Sequence, residues 1–170
     1  MTAGLGGPIR VLQIDHDNRF VDQLGAMIQA REDGLIAGIG LSNIRLAHLL
    51  RALEFTEIVC VQNLFNLADR TSLPILRECV ARRIAFVPFC PLGWPRPQHE
   101  QIRTDPVITA IAEARGATRA QIALAWLLAL APNVLLIPGT SKRNHLVDNL
   151  EVAAIALHPD EVRALNERYA

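Results

Sequence analysis

The chain has 170 residues, of which 51% are hydrophobic and 20% are charged, so its composition favours one folded core over a disordered chain or two ordinary domains. Its 17 basic and 17 acidic residues balance, and the overall charge therefore favours neither nucleic acid nor an anionic membrane as a partner. Three cysteines without metal or disulfide spacing, and no apolar run long enough to span a membrane, predict a cytoplasmic protein.

Short apolar strands alternate with amphipathic helices along the chain, as in parallel α/β proteins. After a flexible leader over residues 1–8, strands are predicted over 9–14, 36–43, 57–62, 84–89 and 133–139. Helices are predicted over 20–34, 44–53, 71–83, 107–116, 118–130, 143–155 and 159–170. Residues 9–170 are thus expected to form a single α/β domain of about five parallel βα units. Five units are too few for an eight-stranded barrel, and an open, doubly wound sheet is the other arrangement considered.

Polar side chains and one aromatic ring follow the predicted strands, at the end where parallel α/β proteins bind ligands. They are Asp15 and His16, Ser42 and Asn43, Gln62 and Asn63, Phe89 and Cys90, and the loop "GTSKR" at 139–143. Amides and a ring suit a planar polar ligand, while hydroxyls, cations and helix-start amides suit a phosphate. Taken singly, each residue could instead end a strand or cap a helix.

Four motifs, "GIGLSN", "VQNLFN", "FVPFCPLG" and "LLIPGTSKRNHLVDNL", occur in the order and approximate spacing seen in aldo-keto reductases. Over residues 20–170 the chain resembles the carboxyl-terminal half of that family's (β/α)₈ TIM barrel, which implies a truncated, partial barrel. Members of the family are oxidoreductases that reduce aldehydes and ketones by hydride transfer from NADPH. The resemblance therefore implies that this chain is the NADP(H)-binding half of such an oxidoreductase.

The resemblance also implies contacts with the nicotinamide end of the cofactor. Ser42, Asn43 and Gln62 match the residues that hold the nicotinamide carboxamide. Phe89 matches the aromatic residue on which the nicotinamide ring stacks.

Contacts with the phosphates and adenine follow in the same way. The matching residues are Leu92 and Gly93 for the loop that passes the pyrophosphate, Thr140, Ser141, Lys142 and Arg143 for the 2′-phosphate, and Asp148 and Asn149 near the adenine. Some family members have a lysine where this chain has Gly139, so NAD(H) is not excluded beside NADP(H).

The family's proton donor is a tyrosine whose acidity a lysine and an aspartate tune. The chain's single tyrosine is Tyr169 and its single lysine is Lys142, and neither matches a catalytic motif. Alone, the chain is therefore expected to be inactive. For the substrate-orienting histidine, "VLQIDH" has Asp15 at the matching position, so His16 is the catalytic candidate only if a bulge turns it into the site.

Other reactive side chains are expected to have ordinary roles. His48, His99, His145 and His158 are predicted to be surface histidines, and Cys60 and Cys79 to pack as small apolar groups. Cys90 follows the ring of Phe89, but no general base is adjacent to it in the sequence.

An open half-barrel would expose two strand edges and an apolar interior. We therefore expect a complementing chain or a homo-oligomer that covers these open edges. Two alternatives to the oxidoreductase half remain: a non-catalytic NADP(H)-binding regulatory or partner subunit, and a non-functional remnant.

Overall fold

The computed structural model describes residues 10–13, 19–94 and 96–170, which form an α/β fold. Its strands are β1 (Arg10–Gln13), β2 (Ile39–Ser42), β3 (Cys60–Leu64) and β4 (Ala85–Phe89). Its helices are α1 (Phe20–Glu32), α2 (Leu46–Leu53), α3 (Leu73–Arg82), α4 (Arg96–Thr104), α5 (Pro106–Arg115), α6 (Arg119–Leu130), α7 (Arg143–Glu151) and α8 (Pro159–Arg168). A 3₁₀ turn over Val152–Ala154 follows α7.

The four strands form one sheet in the order β1-β2-β3-β4. β1 runs parallel to β2, with Leu12 opposite Leu41, and β2 runs parallel to β3, with Leu41 opposite Val61. A helix follows each strand, and the strand order in the sheet repeats the order along the chain, so that strands consecutive in sequence are neighbours in space. The parallel α/β class expected from the sequence is confirmed.

The chain divides into two compact units. The first contains the described residues within Met1–Asn63 together with Pro74–Phe86, and the second contains Leu64–Leu73 with Val87–Ala170. The predicted leader over 1–8, as well as Asp15 and His16, lies outside the described residues. The expected boundary between a leader and a single domain stays a prediction.

In the first unit the apolar positions of β2 and β3 are buried together with one face of each flanking helix. The most deeply buried side chains include Leu24, Ile39, Leu41, Leu49, Val61 and Cys79. All four residues of β2 are buried, which is the pattern of a parallel strand covered on both faces.

The second unit is built around α6, which contacts α4, α5, α7 and α8. Seven consecutive residues of α6, from Gln121 to Leu127, are buried, so this helix is a core element and lacks an exposed face. Its first turn is held by a capping box, in which Thr118 Oγ1 accepts from the Gln121 amide at 3.2 Å and Gln121 Oε1 accepts from the Thr118 amide at 2.9 Å.

Two sequence predictions about elements are corrected. The fifth strand, over 133–139, is absent from the described sheet: Val134 makes a single bridge, and residues 135–140 belong to neither a strand nor a helix. An apolar run becomes a strand only where a neighbouring strand pairs with its backbone. Helix α4 was not predicted, and the helix expected over 143–155 ends at Glu151. Within the described residues, no helix has the length and apolar character needed to cross a membrane.

Candidate functional site

The sequence-predicted carboxamide residues lie side by side in the first unit. Ser42 is opposite Gln62 in the parallel register of β2 and β3, and the Asn43 amide donates to the Gln62 carbonyl at 2.8 Å. Asn63 continues this pairing with its side chain, because its Oδ1 accepts from the Ile44 amide at 3.0 Å and its Nδ2 donates to the Ile44 carbonyl at 2.7 Å. The ends of the two strands are thereby fixed in register.

Asn43 adopts a left-handed backbone conformation, with φ of 53°. Asparagine tolerates this region better than most residues. Such a conformation ends β2 abruptly, so that the polar residues Ser42 and Asn43 terminate the strand before α2 begins at Leu46.

In the second unit, the turn after β4 is compact and tightly held. The Gly93 amide donates to the Cys90 carbonyl at 2.9 Å, and buried Asn66 donates from Nδ2 to the same carbonyl at 3.1 Å. Gly93 has φ of 93°, and a Cβ atom there would lie 2.7 Å from the backbone nitrogen of His99. Only glycine fits this position, and the turn is therefore packed directly against α4.

The "GTSKR" loop leads into α7 through a local turn. Thr140 Oγ1 accepts from the Lys142 amide at 3.1 Å, and no side chain caps the first turn of α7. The amides of the residues from Arg143 onward thus point along the helix axis without a capping acceptor, as in anion sites at helix starts. Ser141, Lys142 and Arg143 are all exposed.

The turn after β4 and the loop before α7 both contribute to one cleft of about 430 Å³, which lies wholly within the second unit. It is lined by residues from the turn after β4, from α4, from the start of α6, and from the loop and first turns of α7. The polar and charged members are His99, Arg103, Thr118, Thr140, His145, Asp148 and Asn149, and the others are Leu92, Ala120 and Gly139.

The cleft brings together four of the residues predicted to bind the cofactor: Leu92, Thr140, Asp148 and Asn149. Phe89, Gly93, Ser141, Lys142 and Arg143 are their neighbours in the chain and do not line it. The carboxamide residues Ser42, Asn43 and Gln62 belong to the first unit. His16 lies outside the described residues.

Sequence reasoning missed His99, Arg103 and His145 as members of the cleft. The first two are on α4, which is strongly polar and has Ile102 as its one buried residue. His145 was expected to be an ordinary surface residue, and although it is exposed it lines the cleft. The spacing of His99 and Arg103, four residues apart, was the available signal once a helix is assumed.

Tyr169 lacks the setting of a catalytic acid. Burial, followed by the negative charge of Asp105, raises the pKa of its phenol to about 12. The hydroxyl donates to the Gln101 carbonyl at 3.4 Å, a weak contact. A general acid needs a pKa near the working pH, so this tyrosine has a structural role in the second unit.

The thiols are also unsuited to nucleophilic chemistry. Burial raises the pKa of Cys60 and of Cys90, and burial together with the Glu78 charge raises the pKa of Cys79 to about 12. Thiols with raised pKa values are poor nucleophiles. Within the described residues no group of three or more metal-ligating side chains occurs.

The donor set fits a nucleotide. The cleft volume falls in the range of ligand pockets, about 300–1,000 Å³. Gly93 allows the close approach of two backbones beside it, and the uncapped start of α7 offers amides to an anion. The geometry can therefore hold a phosphorylated ligand between α4 and α7.

Comparisons with known proteins identify the family of the chain. A model of the aldo/keto reductase family matches residues 12–170. The chain is 41% identical over 138 residues to pyridoxine 4-dehydrogenase of Escherichia coli (strain K12), covering 81% of this chain and 46% of that protein. It is 34% identical over 146 residues to an uncharacterized oxidoreductase of Schizosaccharomyces pombe, covering 86% of this chain and 46% of that protein.

A solved structure is similar as well. The aldo/keto reductase from Klebsiella pneumoniae in complex with NADP and acetate superposes with a TM-score of 0.83 at 27% identity, covering 94% of this chain and 57% of that one. The chain spans about half the length of the curated relatives it matches. On the family match across nearly all of its residues, the chain belongs to the aldo/keto reductase family.

Proposed function

We propose that this chain is the NADP(H)-binding half of an aldo-keto reductase-type oxidoreductase with a partial (β/α)₈ barrel. The observation that carries the proposal is the cleft of the second unit, where Leu92, Thr140, Asp148 and Asn149 converge from separate parts of the sequence. When bound, the cofactor would supply the hydride for reduction of an aldehyde or ketone. The NADP complex of the Klebsiella pneumoniae relative supports this choice of cofactor.

Residues of the cleft and other residues predicted to bind the cofactor have the following roles in this proposal. The exposed cations Lys142 and Arg143, with the first-turn amides of α7, bind the 2′-phosphate that distinguishes NADP(H) from NAD(H). Asp148 and Asn149 contact the adenine end, and Leu92 and Gly93 form the turn beside the pyrophosphate. The resemblance assigns Ser42, Asn43 and Gln62 of the first unit to the nicotinamide carboxamide, and Phe89 of the second unit to the ring that stacks on the nicotinamide.

Binding without turnover is the second candidate for the isolated chain. Tyr169, the single tyrosine, has a pKa raised to about 12 by burial and by Asp105. Lys142, the single lysine, stands at the start of α7. With both engaged elsewhere, the chain alone would act as a non-catalytic NADP(H)-binding regulatory or partner subunit. Turnover would then need a complementing chain that supplies the acid.

Nucleotide titrations test the proposal. Trp94 is 65% exposed and directly follows Gly93, so its fluorescence should change when NADPH fills the cleft. We expect NADPH to bind at least about tenfold more tightly than NADH, since a charge-assisted phosphate contact contributes about 1.5–3 kcal/mol. Absence of binding at millimolar NADPH would overturn the proposal for this chain.

Two arginine variants test whether the 2′-phosphate of NADPH binds at the start of α7. Arg143→Ala should weaken NADPH about tenfold and leave NADH unchanged. Arg163→Ala is the matched control, since Arg163 is an exposed residue of α8 paired with Asp160 and lies away from the cleft lining. Carbonyl-dependent loss of NADPH absorbance by the chain alone would favour the oxidoreductase over the regulatory subunit.

A further inference from the structure

The side chain of His99 is held in one orientation by a hydrogen bond of its ring nitrogen Nδ1. Its Nδ1 lies 2.8 Å from the Leu92 carbonyl oxygen. A carbonyl oxygen can only accept, so Nδ1 carries the proton, and in the neutral ring Nε2 is left as the acceptor. Gly93 packs against the backbone of His99, so the position of the residue that carries the ring is fixed as well.

The second ring nitrogen of His99 is available to a ligand. The ring lines the cleft of the second unit, and in residues 19–94 and 96–170 the one hydrogen bond of its side chain is that of Nδ1. An imidazole that has one nitrogen tied to the backbone and lines a polar cleft resembles the tethered histidines that act as donors once the second nitrogen is protonated.

Arg103 adds a positive charge one helical turn further along α4 and lines the same cleft. Its Nε and Nη2 donate to Glu100 Oε2 at 2.9 and 2.7 Å, and this hydrogen bond lowers the pKa of Glu100. Both side chains are about half exposed, so an incoming anion can compete with this weak surface pair.

The cleft therefore has two walls that attract anions. One is the loop before α7 with its uncapped helix start, and the other is the face of α4 that carries His99 and Arg103. A nucleotide with a single phosphate would use one wall. Two walls on one cleft fit a ligand that carries two separate phosphate groups.

We propose that His99, assisted by Arg103, binds the diphosphate of the dinucleotide from the α4 wall, through a hydrogen bond donated by Nε2. The identity of the ligand rests on the function proposed above. To donate from both nitrogens the ring must be cationic, and so the diphosphate binds together with a proton. Other charged groups near the ring are Glu100 on α4, Arg119 at the start of α6, and His145 and Asp148 on α7.

The variant His99→Asn tests the roles of the two ring nitrogens separately. The asparagine amide can still donate to the Leu92 carbonyl, as Nδ1 does, but it has no group in the position of Nε2. ADP and adenosine 2′-monophosphate are the probes, measured by calorimetry on the full chain. His99→Asn should weaken ADP about tenfold, as expected for a lost hydrogen bond to a charged group, and leave adenosine 2′-monophosphate unchanged. His158→Asn is the control and should keep wild-type affinity for ADP, because His158 is exposed at the start of α8 and does not line the cleft.

Nitrogen-15 NMR of the histidine rings reports the protonation of each ring nitrogen in the wild-type chain. This measurement does not depend on the folding of a variant. ADP should convert Nε2 of His99 from an acceptor to a protonated donor. Equal ADP affinity in wild type and His99→Asn, equal loss for both nucleotides, or no ADP binding by wild type would each overturn the inference, even where NADPH binds. Binding of ADP that depends on His99, without any binding of NADPH, would contradict the proposed function and reduce the inference to a diphosphate site on α4.

Discussion

Left-handed backbone conformations at single residues form the turns that follow β2 and β4. Asn43 and Cys90 have φ values of 53° and 50°, and Gly93 has a φ of 93°. Each follows or lies near the end of a strand, where the chain must turn sharply toward the next helix. Left-handed conformations cost side-chain-bearing residues about 1–2 kcal/mol, so these positions are maintained by the contacts around them.

Gly93→Ala should destabilise the chain by about 2 kcal/mol or more, because it adds left-handed strain and a Cβ atom 2.7 Å from the His99 nitrogen. Urea unfolding measures the change. Gly25→Ala is the control of opposite sign: a Cβ there meets nothing within 4 Å in α1, and stability should rise by about 0.5–1 kcal/mol. A neutral Gly93→Ala would show that the turn moves freely away from α4.

At this scale the sequence predicted part of the cleft. Leu92, Thr140, Asp148 and Asn149 could be foreseen because they belong to motifs shared with a known family. His99 could not, since its role depends on a hydrogen bond to Leu92 that only the packing of the turn against α4 creates. Asn66, which braces the same turn, has no motif that marks it.

At the scale of elements, apolar periodicity located most helices and strands but failed at two. Helix α4, "RPQHEQIRT", buries one apolar residue, and a single apolar position gives no repeat from which a helix could be predicted. For residues 133–139 the sequence predicted an element that the structure lacks. They are apolar enough for a strand, but strand formation depends on a pairing neighbour, which periodicity cannot supply.

Asp105 joins two helices of the second unit. Its Oδ1 accepts from the Val107 and Ile108 amides at the start of α5, at 2.8 and 3.1 Å. Its Oδ2 accepts from Nε of Arg168, at the end of α8, at 2.8 Å. Burial would raise the pKa of this carboxyl, but the Arg168 hydrogen bond and the two amides outweigh it, so that the pKa is lowered.

Asp105→Asn should lower the free energy of unfolding by about 1–3 kcal/mol at pH 7, because the ion pair with Arg168 is lost. A folded pKa below the unfolded value gives stability that is present above about pH 4 and disappears as the pH falls through the folded pKa. The difference between wild type and variant should therefore shrink in acid, as measured by urea unfolding at several pH values.

Asp160→Asn is the matched control for this pH series. Asp160 pairs with Arg163, and its side chain is 82% exposed, so the change should stay below about 1 kcal/mol. A difference for Asp105→Asn that stays constant down to pH 2 would contradict the assignment.

For the whole molecule, exposed apolar side chains indicate where another chain could bind. Leu135 and Ile137 lie in the segment between α6 and α7, and they are 55% and 45% exposed. Among the described residues this segment belongs to no strand. Neighbouring exposed apolar side chains favour association, in line with the proposed complementing chain or homo-oligomer.

Sedimentation velocity over a concentration series should therefore show self-association of the purified chain. The double variant Leu135→Gln with Ile137→Gln should reduce it, because two apolar contacts are replaced by amides that prefer water. Leu35→Gln is the control, a leucine that is 72% exposed, more than either tested residue, and that belongs to the other unit. Equal association of wild type and double variant would exclude this segment as the contact.

The distribution of cysteines and tryptophans gives each unit its own reporter. Cys60 and Cys79 are buried in the first unit, while Trp94 and Trp126 both belong to the second. A thiol reagent reaches Cys79 only when the first unit opens, and tryptophan emission changes only when the second does. With Cys90 replaced by serine, one sample would therefore reveal whether the two units unfold in a single step or melt separately.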